Sequence, residues 1–245
     1  MIKIINLTKK YKIKTGNFRY SDFYALDNIS TIFKENIING ITGSSGSGKT
    51  TLANIISGYD RDYSGEVLYD NSQEKKYDYI RYVFQDPYIS LNMVKTVEWH
   101  IMTASELNNV DIESSIKKFE STGLDYDDYR SKYVNTLSGG EMQKLAFTIA
   151  IIPDPKYIVL DEAFSMLDPI NLFYMLSLLK SIRKTISVIY IDHDINRVAF
   201  ASDYIYILNK GRIIEENDTD TIMNKPENEY TKKLIEYSPD YKKRI

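Results

Sequence analysis

The chain has 245 residues, 43% hydrophobic and 27% charged, with a formal net charge of −3; this is ordinary for a soluble globular protein, and no basic excess draws it to nucleic acid. It contains no cysteine, which excludes disulfides, thiolate zinc sites and iron–sulfur clusters. No apolar run approaches the ~20 residues that span a bilayer, and residues 1–6 lack the apolar core of a signal peptide, so any membrane role is expected to pass through a partner.

In chain order, strand-like runs at residues 2–7 and 24–33, separated by a basic, polar insertion over 12–22, predict an antiparallel flank. Residues 37–42 are short, apolar and rich in β-branched side chains, a predicted strand. Beyond residue 50, Leu52, Ile55 and Ile56 recur at helical spacing up to a C-capping Gly58. Residues 65–69 and 79–84 read as strands. Over 92–135 the β signal disappears, which predicts an inserted α-helical subdomain. Met142, Leu145, Ala146, Ile149 and Ala150 mark an amphipathic helix over 141–152. An apolar strand over 157–160, a helix opened by Asp168-Pro169 and running through Leu179, and a second apolar strand over 186–191 follow. Strands without polar alternation, separated by helices, imply a mainly parallel sheet covered on both faces. Residues 204–208, the turn Asn209-Lys210-Gly211 and Ile213-Ile214 predict a hairpin. The expected organisation is one α/β domain: a core of 1–91 and 136–215 with its β flank, a helical subdomain over 92–135, and a helical tail over 216–245 that ends in a solvated Lys242-Lys243-Arg244.

The stretch that organises this plan is Gly43-Ser44-Ser45-Gly46-Ser47-Gly48-Lys49-Thr50, which fits G-x-x-x-x-G-K-[ST] at every fixed position and lies between a predicted strand and a predicted helix. Its glycines let backbone N–H groups converge on a phosphate at a helix N-terminus. Lys49 can then reach the outer phosphates and the Thr50 hydroxyl can ligate Mg²⁺; Thr51 extends the nucleotide-binding stretch. Asp161 and Glu162 end an apolar strand. The first carboxylate is suited to organising Mg²⁺ through its water shell and the second to polarising a water for attack. Leu137-Ser138-Gly139-Gly140-Glu141 precedes the amphipathic helix. Ser138 and Glu141 are spaced as a capping box, and the two glycines leave bare N–H groups that make a second anion site. His100 stands in no such context and is read as structural.

Leu137-Ser138-Gly139-Gly140-Glu141 resembles the L-S-G-G-Q signature loop of the ABC ATPase family, with Glu141 where glutamine is commonest. The resemblance implies a phosphate-loop NTPase core and a head-to-tail dimer in which the signature of one subunit closes on the ATP held by the other. Because backbone and Ser138 would contact phosphate, Glu141 is expected to be tolerated. Val83-Phe84-Gln85-Asp86-Pro87 looks like the Q-loop, where Gln85 would sense Mg²⁺ and the attacking water; Ser165-Met166-Leu167-Asp168 looks like the D-loop; Ile191-Asp192-His193-Asp194 looks like the switch-histidine loop, with His193 on the γ-phosphate. Tyr11 matches the adenine-stacking aromatic, with Phe18, Tyr20 and Tyr24 as competitors. Two further stretches, residues 85–92 and 226–234, are similar to the Q-D-P-x-x-S-L-N and P-x-H-P-Y-T-x-x-L runs of the oligopeptide, dipeptide and nickel importer ATPases, with Asn228 and Glu229 departing from the second. The resemblance thus implies an ATPase at the cytoplasmic face of a membrane, working with two membrane-spanning subunits, a like or unlike second ATPase and, indirectly, an extracytoplasmic substrate-binding protein, on peptides or nickel and metal chelates. Trp99 either packs in the core or lies where family members receive the membrane subunits. A non-transport ABC ATPase of translation or DNA repair is the alternative, but such proteins usually carry two ATPase domains or long coiled coils, and this chain has neither repeats nor heptads. A phosphate-loop kinase would leave Ser138-Gly139-Gly140 and His193 without a task.

Overall fold

A computed structural model describes residues 1–14, 20–70 and 79–238. In chain order the elements are β1 (Ile2–Lys14), β2 (Tyr20–Phe33), β3 (Ile38–Thr42), α1 (Lys49–Ser57), β4 (Ser64–Tyr69), β5 (Ile80–Val83), α2 (Val97–Asn108), α3 (Ile112–Glu120) and α4 (Tyr126–Tyr129). There follow α5 (Gly139–Ile151), β6 (Tyr157–Asp161), α6 (Pro169–Ile182), β7 (Ser187–Ile191), α7 (Ile195–Ala201), β8 (Tyr204–Asn209), β9 (Arg212–Asp218), α8 (Thr219–Asn224) and α9 (Glu229–Glu236). Two units divide the chain: residues 1–74 with 189–245, and residues 75–188.

In the first unit β2, β1 and β4 form a three-stranded antiparallel sheet in that order, which is the expected flank. The described ends of the polar insertion are strand. Pairing continues through Tyr11↔Phe23 to Lys14↔Tyr20, so both strands run well past residues 7 and 24; residues 15–19, Phe18 among them, and the expected solvated end Lys242-Lys243-Arg244 lie outside the described residues. One face of this ribbon carries Tyr11, Ile13 and Phe23 and the other its lysines, and neither is buried over residues 10–14. Cross-strand pairs hold it instead, with the Lys10 ammonium 4.7 Å from the Tyr24 ring and 3.9 Å from Asp22. In the same unit β3 pairs with β8 in parallel, and β8 with β9 antiparallel across a turn in which Lys210 (φ 47°) and Gly211 (φ 76°) are both left-handed, the twist a tight hairpin requires. Every residue of β3 is buried.

The second unit pairs β5 with β6 in parallel, and β6 is buried along its whole length. α5 packs beside β5, and α2, α3 and α4 occupy the stretch expected to be helical. Phe119 is fully buried with Tyr126 and Tyr129 edge-on at 6.3 and 6.4 Å. Asp111 and Asp125 cap α3 and α4 through their side chains.

His100 is buried on α2, as its structural reading requires. Its Nε2 accepts from Asn92 N–H (2.9 Å) and its Nδ1 lies 2.8 Å from the Thr96 carbonyl, so the ring is neutral with the proton on Nδ1. Burial lowers its pKa, against the Thr96 carbonyl, which favours the charged form. An unfolded chain therefore takes up this proton at higher pH than the folded one, and stability is lost as pH falls from about 6.5 through the folded-state value. Urea unfolding at pH 7 and pH 5 should show this decline in the wild type, and a smaller decline in His100→Gln.

Candidate functional site

Thr42 ends β3, and the chain turns through Gly43 to Gly48 before α1 begins at Lys49. Two of the glycines are required by close backbone approach: a Cβ on Gly43 (φ 152°) would lie 2.0 Å from the Leu208 carbonyl oxygen, and one on Gly48 (φ 108°) 2.4 Å from that of Ala25. Around Gly46 the space is open. Lys49 is buried, its ammonium folded onto the carbonyl oxygens of Gly43 (2.8 Å) and Ser44 (3.0 Å). The Thr42 and Ser47 hydroxyls are buried without a hydrogen-bond partner, while Ser44, Ser45, Gly46 and Thr50 are exposed and Thr51 is half-buried. Unpaired hydroxyls, a retracted ammonium and the N–H groups at the start of α1 make a cradle that fits a polyphosphate.

The loop is fixed from outside. Ser47 O accepts from Gly211 N (2.9 Å), Gly211 O accepts from Asp27 N (2.8 Å), and Arg212 pairs with Asp27 at 2.6 Å. Phe23 lies two residues from Ala25 along β2 and faces Tyr11 across the ladder; both rings are roughly half exposed. Tyr11 therefore stands about 7 Å along the ribbon from the point where β2 touches the phosphate loop. Tyr24 belongs to the opposite face, with Lys10, and Tyr20 to the far end of the strand. Phe23 escaped sequence reasoning because the insertion conceals the register.

His193 belongs to the same unit. Its turn begins where Asp192 N donates to the Ile41 carbonyl (3.2 Å), one residue before Thr42. The carboxylates on either side of it are pinned. Asp192 accepts from the Tyr190 hydroxyl (2.8 Å) and from Asp194 N (2.9 Å), and Asp194 caps α7 by accepting from Asn196 N (2.9 Å). His193 is left exposed between them. Burial and the Asp192 charge push the Tyr190 phenol well above its usual range, so it remains a donor.

The second unit holds the carboxylates. Asp161, the last residue of β6, is buried and accepts from the Tyr82 hydroxyl (2.9 Å). Glu162 follows with φ 48°, a left-handed backbone, and is half-buried where Asp161 is buried. The Gln85 amide donates to Glu162 Oε2 at 3.0 Å. Gln85 and Asp161 offer amide and carboxylate oxygens in this unit, and Thr50 a hydroxyl in the first; each is a hard donor of the kind Mg²⁺ takes.

Leu137 is buried and Ser138 caps α5. The predicted capping box is present, with Glu141 N donating to Ser138 Oγ (3.3 Å) and Ser138 N to Glu141 Oε2 (2.7 Å); the Tyr129 hydroxyl donates to Glu141 Oε1. Burial works to raise the Glu141 pKa, but the bonds from Tyr129 and Ser138, together with the Lys132 charge, outweigh it and hold the carboxyl below its usual range. Its hydrogen bond to Glu141, and then burial, push the Tyr129 phenol up to about 12. Gly139 and Gly140 pack against the D-loop stretch, where added Cβ atoms would meet Met166 Sδ at 2.7 Å and Leu167 Cδ2 at 2.8 Å. Asp168 caps α6, accepting from Ile170 N (3.0 Å) and Asn171 N (3.1 Å).

One residue that sequence reasoning missed ties this unit together. Gln143, 1% exposed, donates to Gln85 O and Ser165 Oγ (both 3.3 Å) and accepts from Met166 N (3.0 Å), so one amide joins the stretch after the signature to the Q-loop and D-loop stretches. Trp99 is 40% exposed on α2, with exposed Met102 three residues on, so the core-packing reading does not hold.

A family model described as "ABC transporter" matches residues 26–165. SapF of Escherichia coli strain K12, a putrescine export system ATP-binding protein, is 31% identical over 249 residues, covering 96% of this chain and 92% of the relative. With the same identity and coverage, SapF of E. coli O6:H1 is a peptide transport system ATP-binding protein. OppF of Streptococcus pyogenes serotype M1, an oligopeptide transport ATP-binding protein, is 30% identical over 89% of this chain and 76% of its own length. Among solved structures, the dimeric post-hydrolysis state of the ATP-binding cassette MJ0796, bound to ADP and phosphate, superposes with a TM-score of 0.77 at 27% identity, over 89% of this chain and 99% of that one. The fold is that of the ATP-binding cassettes, α/β with an antiparallel flank and a helical insertion. The chain belongs to the ABC transporter family, and the expectation of an ABC-type ATPase is borne out.

Replacing the Gln143 amide with an apolar isostere should leave the Gln85 carbonyl and the Met166 N–H without their partner. Gln143→Leu is expected to lower the unfolding free energy by about 1–3 kcal/mol, read from the shift of the urea midpoint; an unmoved midpoint would show that the amide contributes nothing.

Proposed function

We propose that the chain is the ATP-binding and ATP-hydrolysing subunit of an importer, coupling closure of an ATPase dimer to peptide uptake through separate membrane subunits. The observation that carries the hydrolytic part is the 3.0 Å contact between the Gln85 amide and the Glu162 carboxylate. Glu162 follows the buried Asp161 directly, and a carboxylate steadied by a neighbouring amide in this way is suited to act as the general base for water. Gly43 to Thr51 would cradle the phosphates of ATP, Lys49 would leave its carbonyl partners for the β- and γ-phosphates, and His193 would contact the γ-phosphate. Thr50, Gln85 and Asp161, the last through water, would hold Mg²⁺, which supplies charge neutralisation at the transferring phosphoryl group. Tyr11, paired with Phe23, would stack on adenine, and Leu137 to Glu141 with Asp168 would act on the nucleotide of the opposite subunit.

Peptide cargo is supported by the similarity to OppF, an oligopeptide transport protein, and to the O6:H1 SapF, a peptide transport protein, and uptake by the resemblance of residues 85–92 and 226–234 to the peptide importer branch. The K12 SapF name gives putrescine and export instead. Nickel or metal chelates are the second cargo implied by that branch. No described helix is long and apolar enough to cross a membrane, and the exposed Trp99 and Met102 suit docking to membrane-spanning subunits at the cytoplasmic face. A second ATPase, like or unlike, and an extracytoplasmic binding protein would complete the system.

Glu162→Gln should bind ATP as the wild type does while kcat falls by about 10²- to 10⁴-fold; equal turnover would remove Glu162 as the base. Lys49→Ala should weaken ATP binding itself, read by titration with Mg-ATP. Ser138→Arg should abolish turnover while each chain still binds ATP, and full activity in that variant would be incompatible with a signature acting across a dimer.

A further inference from the structure

We propose that α9 is a positioning strap for the nucleotide site, with Tyr230 in its first turn holding the phosphate loop and Ser238 beyond its last turn holding the turn that carries His193. The inference rests on the nucleotide reading of those two loops and adds residues outside the matched family region, 26–165.

The strap is itself anchored. Glu215 on β9 accepts from Glu227 N (2.8 Å) and Asn228 N (3.2 Å), which fixes the approach to the helix, and Asn228 caps it by accepting from Tyr230 N (2.9 Å). Thr231 is fully buried and α9 packs on α7, which seats the helix at its first turn. From this seat the Tyr230 hydroxyl accepts the Ser44 N–H at 2.8 Å, at the start of the phosphate loop. At the other end Ser238 Oγ donates to Asp194 Oδ1 (3.0 Å) and accepts from Asn196 Nδ2 (2.9 Å). Asp194 is next to His193 and is the cap that starts α7.

A helix of eight residues is a rod about 12 Å long, and here each end carries one hydroxyl bonded to a different loop of the site. Ser44 is exposed, so the Tyr230 bond does not satisfy a buried donor; water could do that equally well. Its effect is to fix where the loop stands. A loop held in its binding position loses less conformational freedom when the anion arrives, which strengthens binding. A His193 turn held at Asp194 acts on the step that His193 serves. The two contacts should therefore separate in kinetics: Tyr230 in the affinity for ATP, Ser238 in turnover.

The test uses the full-length chain and two conservative variants. Tyr230→Phe keeps the ring and removes the acceptor; it should raise KM for ATP about five-fold, the factor matching one hydrogen bond of ~1 kcal/mol, with kcat unchanged. Ser238→Ala should lower kcat by a similar factor with KM unchanged, and Ser238→Thr, which retains the hydroxyl, should restore it. General loss of fold would not produce this split. Amide hydrogen exchange supplies a readout that needs no nucleotide: Tyr230→Phe should quicken exchange over residues 43–47 and Ser238→Ala over 193–197. Wild-type KM, kcat and exchange in both variants would overturn the strap. If the wild type failed to bind ATP, the nucleotide reading would fall, and the exchange rates alone would decide whether α9 holds the two loops.

Discussion

Two backbone carbonyls come so near the phosphate loop that no side chain can stand between. Leu208 O faces Gly43 and Ala25 O faces Gly48, from strands that lie far apart in the sequence. The loop is thereby shaped by the sheet rather than by its own residues, and the hairpin turn at Gly211 adds a third fixed point through Ser47 O. A free glycine- and serine-rich loop would lose about 1–2 kcal/mol of backbone entropy per residue on being ordered around an anion; here that ordering is done by folding. Lys49 completes the arrangement, because an ammonium resting on two carbonyls of the same loop keeps its charge solvated by protein until an anion replaces them.

The second unit solves a related problem with side chains. Its functional stretches leave different elements, and a buried amide on α5, a tyrosine hydroxyl on β5 and a capping box position them. Lys144 shows the electrostatic limit of such packing. Burial lowers its pKa against the raising influence of Asp168 and Glu141, and its ammonium is bound by Asn171, which also donates to Asp168. Asn171 thus bridges the buried Lys144 ammonium to the Asp168 carboxylate.

The parts of the fold legible in the sequence were those whose cause is local. The apolar runs of β3, β6 and β7 bury every residue, Gly58 caps α1 in a left-handed conformation, and Lys210-Gly211 forms the tight turn. The motif residues fell on the elements expected of them for the same reason: a glycine loop before a helix and carboxylates after an apolar strand are short-range patterns. What was not legible depends on partners distant in sequence. Gln143 reads as one polar residue in an amphipathic helix until Gln85 and Ser165 are seen beside it. Tyr82 and Tyr190 look like ordinary strand aromatics, although each hydroxyl fixes a carboxylate. The ribbon through Tyr11 and Phe23 alternates lysine with Tyr11 and Ile13 but buries neither face there, and its register follows from cross-strand pairs that no window along the chain contains.

Glu162 occupies a left-handed backbone conformation that glycine, asparagine and aspartate adopt more readily than glutamate does. The strain is of order 1–3 kcal/mol, a sizeable share of the net stability of a domain. Selection for thermal tolerance alone would therefore favour replacing Glu162 with glycine or asparagine, which relaxes the turn and discards the carboxylate. On the reading proposed above, in which this carboxylate is the base, stability and activity compete at a single residue, and a library enriched only for heat resistance would lose the glutamate without any sign of damage to the fold.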